Sequence, residues 1–164
     1  MTRMVKCTTT SSRRSSRAYA VRTPAIRRGN QIHELLSLIE SSNDVDTALE
    51  KYLHLNPTTP EDEGELKTLA HKLMQHESTK QFFLPEYGCK NECNLVWKGE
   101  VLRPDRIVFT PEETWVVDFK TGMPKLEHRA QVDNYCAAIR EMGYPEVKGY
   151  LLYIGENDFS IVKN

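Results

Sequence analysis

Three carboxylates, Glu92, Asp105 and Asp118, stand in segments that otherwise read as apolar strands. The hairpin that leads to Asp118 turns between Pro111 and Glu112, so opposed residue numbers add to 223 and Asp105 faces Asp118. The hairpin before it turns at Lys98-Gly99, a two-residue loop, so opposed numbers add to 197 and Glu92 faces Asp105. The three acids therefore form one row across three strands. Directly opposed side chains have Cβ atoms only ~4.5–5.5 Å apart, where like charges repel. Such a row is costly unless a cation sits among the oxygens. Hard, clustered carboxylates suit Mg2+ or Mn2+ better than Zn2+. Lys120, two residues beyond Asp118, projects from the same strand face, where its ammonium can steer a water or a phosphate oxygen. Each acid taken singly reads more simply as one half of a surface salt bridge. The row, the Asp-X-Lys pair and the apolar run Trp115-Val116-Val117 together favour a site. A bulge in either hairpin would shift the row by one residue and flip its face.

The elements that must hold this row follow from periodicity. Strands are predicted over 92–97, 102–109 and 114–119, a helix over 127–142, a strand over 148–154 and an edge strand over 160–162. Upstream, Ile32, Leu35, Leu36 and Ile39 recur at helical spacing and predict a helix over 27–40, with His33 at the border of its apolar stripe. Asp44 is placed to cap a second helix carrying Val45, Ala48, Leu49 and Leu53. Glu61, Asp62, Glu63 and Glu65 open a third, where carboxylates suit the helix dipole, and Leu66, Leu69, Ala70, Leu73 and Met74 form its buried stripe. The expected fold is α/β: a mixed central sheet with helices and an N-terminal helical lead-in.

The chain's 164 residues suit one domain, and 39% hydrophobic residues are enough for a core. No stretch reaches the roughly 18 apolar residues of a membrane span. Four cysteines (Cys7, Cys89, Cys93, Cys136) are too scattered for a disulfide scaffold, so free thiols and a reducing cytoplasm are expected. The formal charge of −1 hides a split. Residues 1–33 hold eight Lys/Arg and no acid, leaving 14 basic and 23 acidic residues in 34–164. Residues 1–24 read as a basic arm, suited to nucleic acid or to service as a solvated linker. A phosphate-cradling loop of the G-x-x-x-x-G-K-[ST] kind is absent, so no ATPase motor is expected in this sequence.

The segment ECNLVWKGEVLRPDRIVFTPEETWVVDFKTG resembles the core of PD-(D/E)XK nucleases, with Asp105 as the first signature acid and Asp118-Phe119-Lys120 as the D-X-K half. Gln131 and Tyr135 match the Q-x-x-x-Y element of the RecB-like branch. Arg28-Gly29-Asn30-Gln31-Ile32-His33 is similar to its R-G-x-x-x-H helix. The tail MGYPEVKGYLLYI is similar to the closing strand of such domains at the ends of AddA/RecB/UvrD-type helicase–nucleases.

The resemblance covers 25–164 and implies a restriction-endonuclease-like core with specific roles. His33, Asp105, Asp118 and the Phe119 carbonyl would bind Mg2+ or Mn2+, and Lys120 would orient the attacking water. Glu92 would touch metal through water or position His33, with Glu86 as its rival. Gln131 and Tyr135 would hold the DNA backbone or the surroundings of Lys120. Apart from the resemblance, the basic residues near the proposed site, Arg103, Arg106, Lys120, Lys125 and Arg129, are placed to contact phosphates, although each taken singly reads as ordinary surface charge. The C-terminal cysteine trio of iron–sulfur relatives is missing, so no cluster is expected. The implied activity is that of a DNA exonuclease working with a helicase in recombinational repair, in a bacterial cytoplasm. DNA, rather than a membrane or a small molecule, is the expected partner. The alternatives are a non-catalytic DNA- or partner-binding module of the same fold, and an endonuclease.

Overall fold

The computed structural model describes residues 23–144, 146–156 and 158–164. The basic arm expected over 1–24 lies outside the described residues except for Thr23 and Pro24, which already open the first helix. Helix α1 spans Pro24–Leu38, starting three residues earlier than the periodicity suggested. Apolar spacing cannot register a Thr-Pro start: the Thr23 hydroxyl accepts from the Ile26 N–H, and proline needs no partner at the first helical position. Helix α3, Pro60–Gln75, opens the same way, with Thr59 accepting from the Asp62 N–H at 3.1 Å. Helix α2 is Val45–Leu55. Asp44 stands at its N-cap but does not bond to it. Its carboxylate turns back to the N–H groups of Glu40 and Ser41 at 3.0 and 2.9 Å, and so closes the α1–α2 turn instead.

The strands are β1 (Gly88–Asn91), β2 (Leu95–Trp97), β3 (Glu100–Leu102), β4 (Arg106–Phe109), β5 (Thr114–Lys120), β6 (Val147–Ile154) and β7 (Phe159–Lys163), with helix α4 (Leu126–Glu141) between β5 and β6. Five form a mixed sheet in the order β1-β4-β5-β6-β7, with β5 and β6 parallel and the other pairs antiparallel. Both hairpin registers hold. Arg106 opposes Val117, Asn91 opposes Arg106, and Trp97 opposes Glu100. The strand boundaries differ from expectation. Of the strand expected over 92–97 only Leu95–Trp97 forms, as β2, and the central sheet takes Gly88–Asn91 ahead of it; of 102–109, Leu102 ends β3 and Arg106–Phe109 is β4, so β2 and β3 make a separate two-stranded sheet. The break has a backbone cause: Glu92 adopts a left-handed φ of 49°, and Pro104 on the partner strand has no amide hydrogen.

The sheet lies between two helical layers. Val117, Phe119 and Leu152 join Leu35, Leu36, Leu66 and Phe83 in one core beneath α1–α3. Val116, Leu151 and Ile107 join Val132, Cys136 and Ile139 of α4 in a second core on the opposite face. Gly149 makes the close approach of α4 possible, because a Cβ there would stand 2.5 Å from a Val132 methyl carbon. Cys89 and Cys136 are free thiols. Cys7 lies outside the described residues. Among the described residues no helix is long and apolar enough to cross a membrane.

Candidate metal centre

The break in the long hairpin builds the site. Glu92 donates its N–H to the Asp105 carbonyl oxygen at 2.9 Å, so the 197 register continues one pair past the end of the β1–β4 ladder. Asp105 is then fixed from two sides. Its Oδ2 accepts the Phe119 N–H at 2.7 Å, and its Oδ1 lies 3.3 Å from His33 Nδ1. His33, Glu92 and Asp105 each offer one ligand atom, and these atoms all lie within 4.8 Å of one another.

His33 reaches this point because α1 is held at both ends of its site-facing side. Gly29, one turn earlier, sits where a Cβ would come within 2.6 Å of the Thr121 hydroxyl, so its bare backbone lets the helix settle against the end of β5. Arg28, beside it, pairs with Glu65 of α3. At the other end, Arg106 and Asn91, cross-strand partners, take up the carbonyls that α1 leaves open. Asn91 Nδ2 donates to Ser37 and Ile39 at 3.1 and 2.8 Å. Arg106 donates to Ile39 at 2.8 Å, Glu40 at 2.6 Å, Phe82 at 2.9 Å and Asn91 Oδ1 at 2.9 Å.

Arg106 therefore corrects an expectation. Placed beside Asp105 as a phosphate contact, it is only 1% exposed and lies over the Phe83 ring. Alternation along the strand turns it away from the acidic row and into the helical layer, where carbonyl oxygens claim its donors. Asn91, which shares this work, is the residue that sequence reasoning missed. Its signal was its pairing with Arg106 under the 197 rule.

Asp118 and Lys120 lie on the α4 face of β5. Asp118 is outside the close trio and deeper, at 2% exposure. Lys120 Nζ pairs with its Oδ2 at 2.6 Å. Burial and the nearby Asp105 charge push the Asp118 carboxyl up to about 6, against the pull of Lys120 and His33. Lys120 Nζ also donates to Gln131 Oε1 at 2.9 Å, and Gln131 Nε2 donates to the Tyr135 hydroxyl at 2.7 Å. Residues 131 and 135 share one face of α4, and burial pushes the Tyr135 phenol up to about 12. Of the two readings of this pair, the one at the surroundings of Lys120 matches the contacts.

Electrostatics mark the trio as starved of positive charge. Burial and Asp105 hold the Glu92 carboxyl above its ordinary range, although Arg103 Nε sits 2.6 Å from its Oε2. Burial lowers the His33 imidazole, but the hydrogen bond and charge of Asp105, aided by Asp118, raise it overall. Two carboxylates and one imidazole, with a third carboxylate buried nearby against Lys120, fit a hard divalent cation. Glu92 thus stands in the close group where Asp118 was expected. Glu86, its rival, lies exposed in a turn ahead of β1. Phe119 keeps its side chain in the helical core, stacked on Phe83, and gives its N–H to Asp105. Lys125 and Arg129 are exposed at the start of α4.

No family model matches the chain, and no curated protein matches it. Among solved structures, the crystal structure of SSO0001 is similar at 18% identity and a TM-score of 0.34, over 79% of this chain and 65% of that one. The chain thus spans slightly under two thirds of that protein's length.

Proposed function

We propose that the chain is a divalent-cation-dependent deoxyribonuclease of the RecB-like PD-(D/E)XK branch. The observation that carries this reading is the convergence of His33, Glu92 and Asp105 within 4.8 Å, beside an ion pair on the adjoining strand between buried Asp118 and half-buried Lys120.

His33, Glu92 and Asp105 would hold Mg2+ or Mn2+, with the Asp118 carboxylate and the Phe119 carbonyl behind them. When bound, the cation polarises a phosphate oxygen and lowers the pKa of a water. The chain's own residues do the remaining work. Lys120, tied to Asp118 and Gln131, presents a fixed ammonium to charge that develops on the phosphate, a preorganised role that usually carries a large share of barrier reduction. Gln131 holds the ammonium with its oxygen, and Tyr135 fixes which way the amide points. The Asp105 carboxylate, pinned by the Phe119 N–H and His33, keeps its ligand atom in place.

In this reading the chain is an exonuclease module that trims DNA ends in recombinational repair, fed by a helicase in the same or another chain of a bacterial cytoplasm. The test is incubation with end-labelled linear DNA and closed circular DNA in Mg2+, Mn2+ or EDTA. Degradation of linear DNA alone, abolished by EDTA and in Asp118→Ala and Lys120→Ala, is the expected result. Nicking of the circle would make it an endonuclease, and binding without cleavage would leave a non-catalytic module.

A further inference from the structure

Arg103, one of the basic residues expected to contact phosphates, sits against the site itself. It lies in the break between β3 and β4, two residues before Asp105, with 59% of its side chain open to solvent. Its Nε sits 2.6 Å from Glu92 Oε2, so the guanidinium rests on a carboxylate of the close trio. The other basic groups nearby are committed: Arg106 to backbone carbonyls, Lys120 to Asp118 and Gln131. A carboxylate that ligates a divalent cation loses much of its attraction for a guanidinium, because the two positive charges compete for the same oxygens and repel each other. The displaced guanidinium keeps a planar fork of donors matched to a phosphate.

We propose that Arg103 exchanges partners during binding, leaving Glu92 for a phosphate of the DNA strand when a cation takes up Glu92. The proposal rests on the nuclease reading and adds a coupling to it. Arg103 opposes cation binding in the absence of DNA and favours DNA binding once the cation is present. By linkage, a bound phosphate draws Arg103 off Glu92 and tightens the cation by the same factor. The site thereby resists loading until substrate arrives.

The experiment uses the full chain and two binding measurements, neither of which requires turnover. Calorimetry with Mn2+ alone compares the parent with Arg103→Gln. The variant should bind Mn2+ about two- to fivefold more tightly, the range an exposed ion pair covers. Fluorescence anisotropy with a short single-stranded oligonucleotide in Ca2+ should show Arg103→Gln binding about tenfold more weakly, as expected for loss of a charge-assisted contact. The two should bind alike in EDTA. Arg103→Lys, which keeps the charge and loses the fork, should fall between them with the oligonucleotide. A residue that merely supports the fold would move both affinities the same way. Unchanged or weaker Mn2+ binding in Arg103→Gln overturns the exchange, as does an equal loss of oligonucleotide affinity in EDTA. A parent protein that binds no Mn2+ at all would remove the underlying nuclease reading as well.

Discussion

Asp118→Asn separates a cation site from a structural ion pair by the sign of its effect on stability. In the metal-free protein, burial and Asp105 raise the Asp118 carboxyl from 3.8 to about 6, so keeping it ionised at neutral pH works against folding. At ~1.36 kcal/mol per pKa unit, that rise corresponds to about 3 kcal/mol. The side chain is 2% exposed, so solvent does not discount the figure. Because the folded-state pKa lies above the unfolded value, the folded chain binds the extra proton between roughly pH 4 and 6, and stability falls as pH rises through that window. Asparagine removes the charge at nearly constant shape, with some offset because Lys120 loses its ion-pair partner. Urea unfolding in EDTA should therefore find Asp118→Asn about 1–3 kcal/mol more stable than the parent at pH 7.5, with the gap closing toward pH 4. Added Mn2+ should reverse the order by stabilising the parent more. An Asp118→Asn protein that is less stable in EDTA at pH 7.5, or a gap that ignores pH, would refute the claim that this carboxylate is held at a cost.

Arg106→Met should lose about 3 kcal/mol or more in urea unfolding, since two buried carbonyls and a part-buried one forfeit a charged donor at ~1–3 kcal/mol each. Arg106→Lys should recover little of this, because a single ammonium cannot span the same acceptors. Gly149→Val should cost about 1–3 kcal/mol by forcing α4 off β6, where a Cβ already meets Val132 at 2.5 Å and Cys136 Sγ at 3.0 Å. Its melting curves with and without Mn2+ should shift in parallel, because this contact supports the sheet and not the cation ligands.

Much of the site was legible because antiparallel pairing is a matter of counting from a turn. The sums 223 and 197 hold through both ladders as far as Arg106, and the Glu92 N–H carries the 197 pairing on to Asp105, whereas the β4–β5 ladder ends one pair short of Asp105 and Asp118. The Asp-X-Lys spacing survives too, since a strand alternates its faces whatever surrounds it. The trio's composition was less legible. Glu92 enters it directly and Asp118 withdraws behind it, because the left-handed backbone at Glu92 turns that carboxylate toward His33. A backbone angle of this kind has no marker in residue type, since glutamate rarely adopts it.

Arg106 shows where local pattern stops. The same guanidinium fits a phosphate or a row of carbonyls, and the choice fell to oxygens on Ile39 and Glu40, 67 and 66 residues away in the chain. The sequence by itself determined what turns and periodicity control: the four α-helices among the described residues, the two hairpin registers, and the shared face of Asp118 and Lys120. Only the tertiary structure decided which charges are buried, because burial depends on the summed packing of segments that do not neighbour one another in the chain. The docking of α1 through Gly29, Asn91 and Arg106 delivered His33 to Asp105, and the packing of the sheet buried Asp118 with Lys120 as its partner.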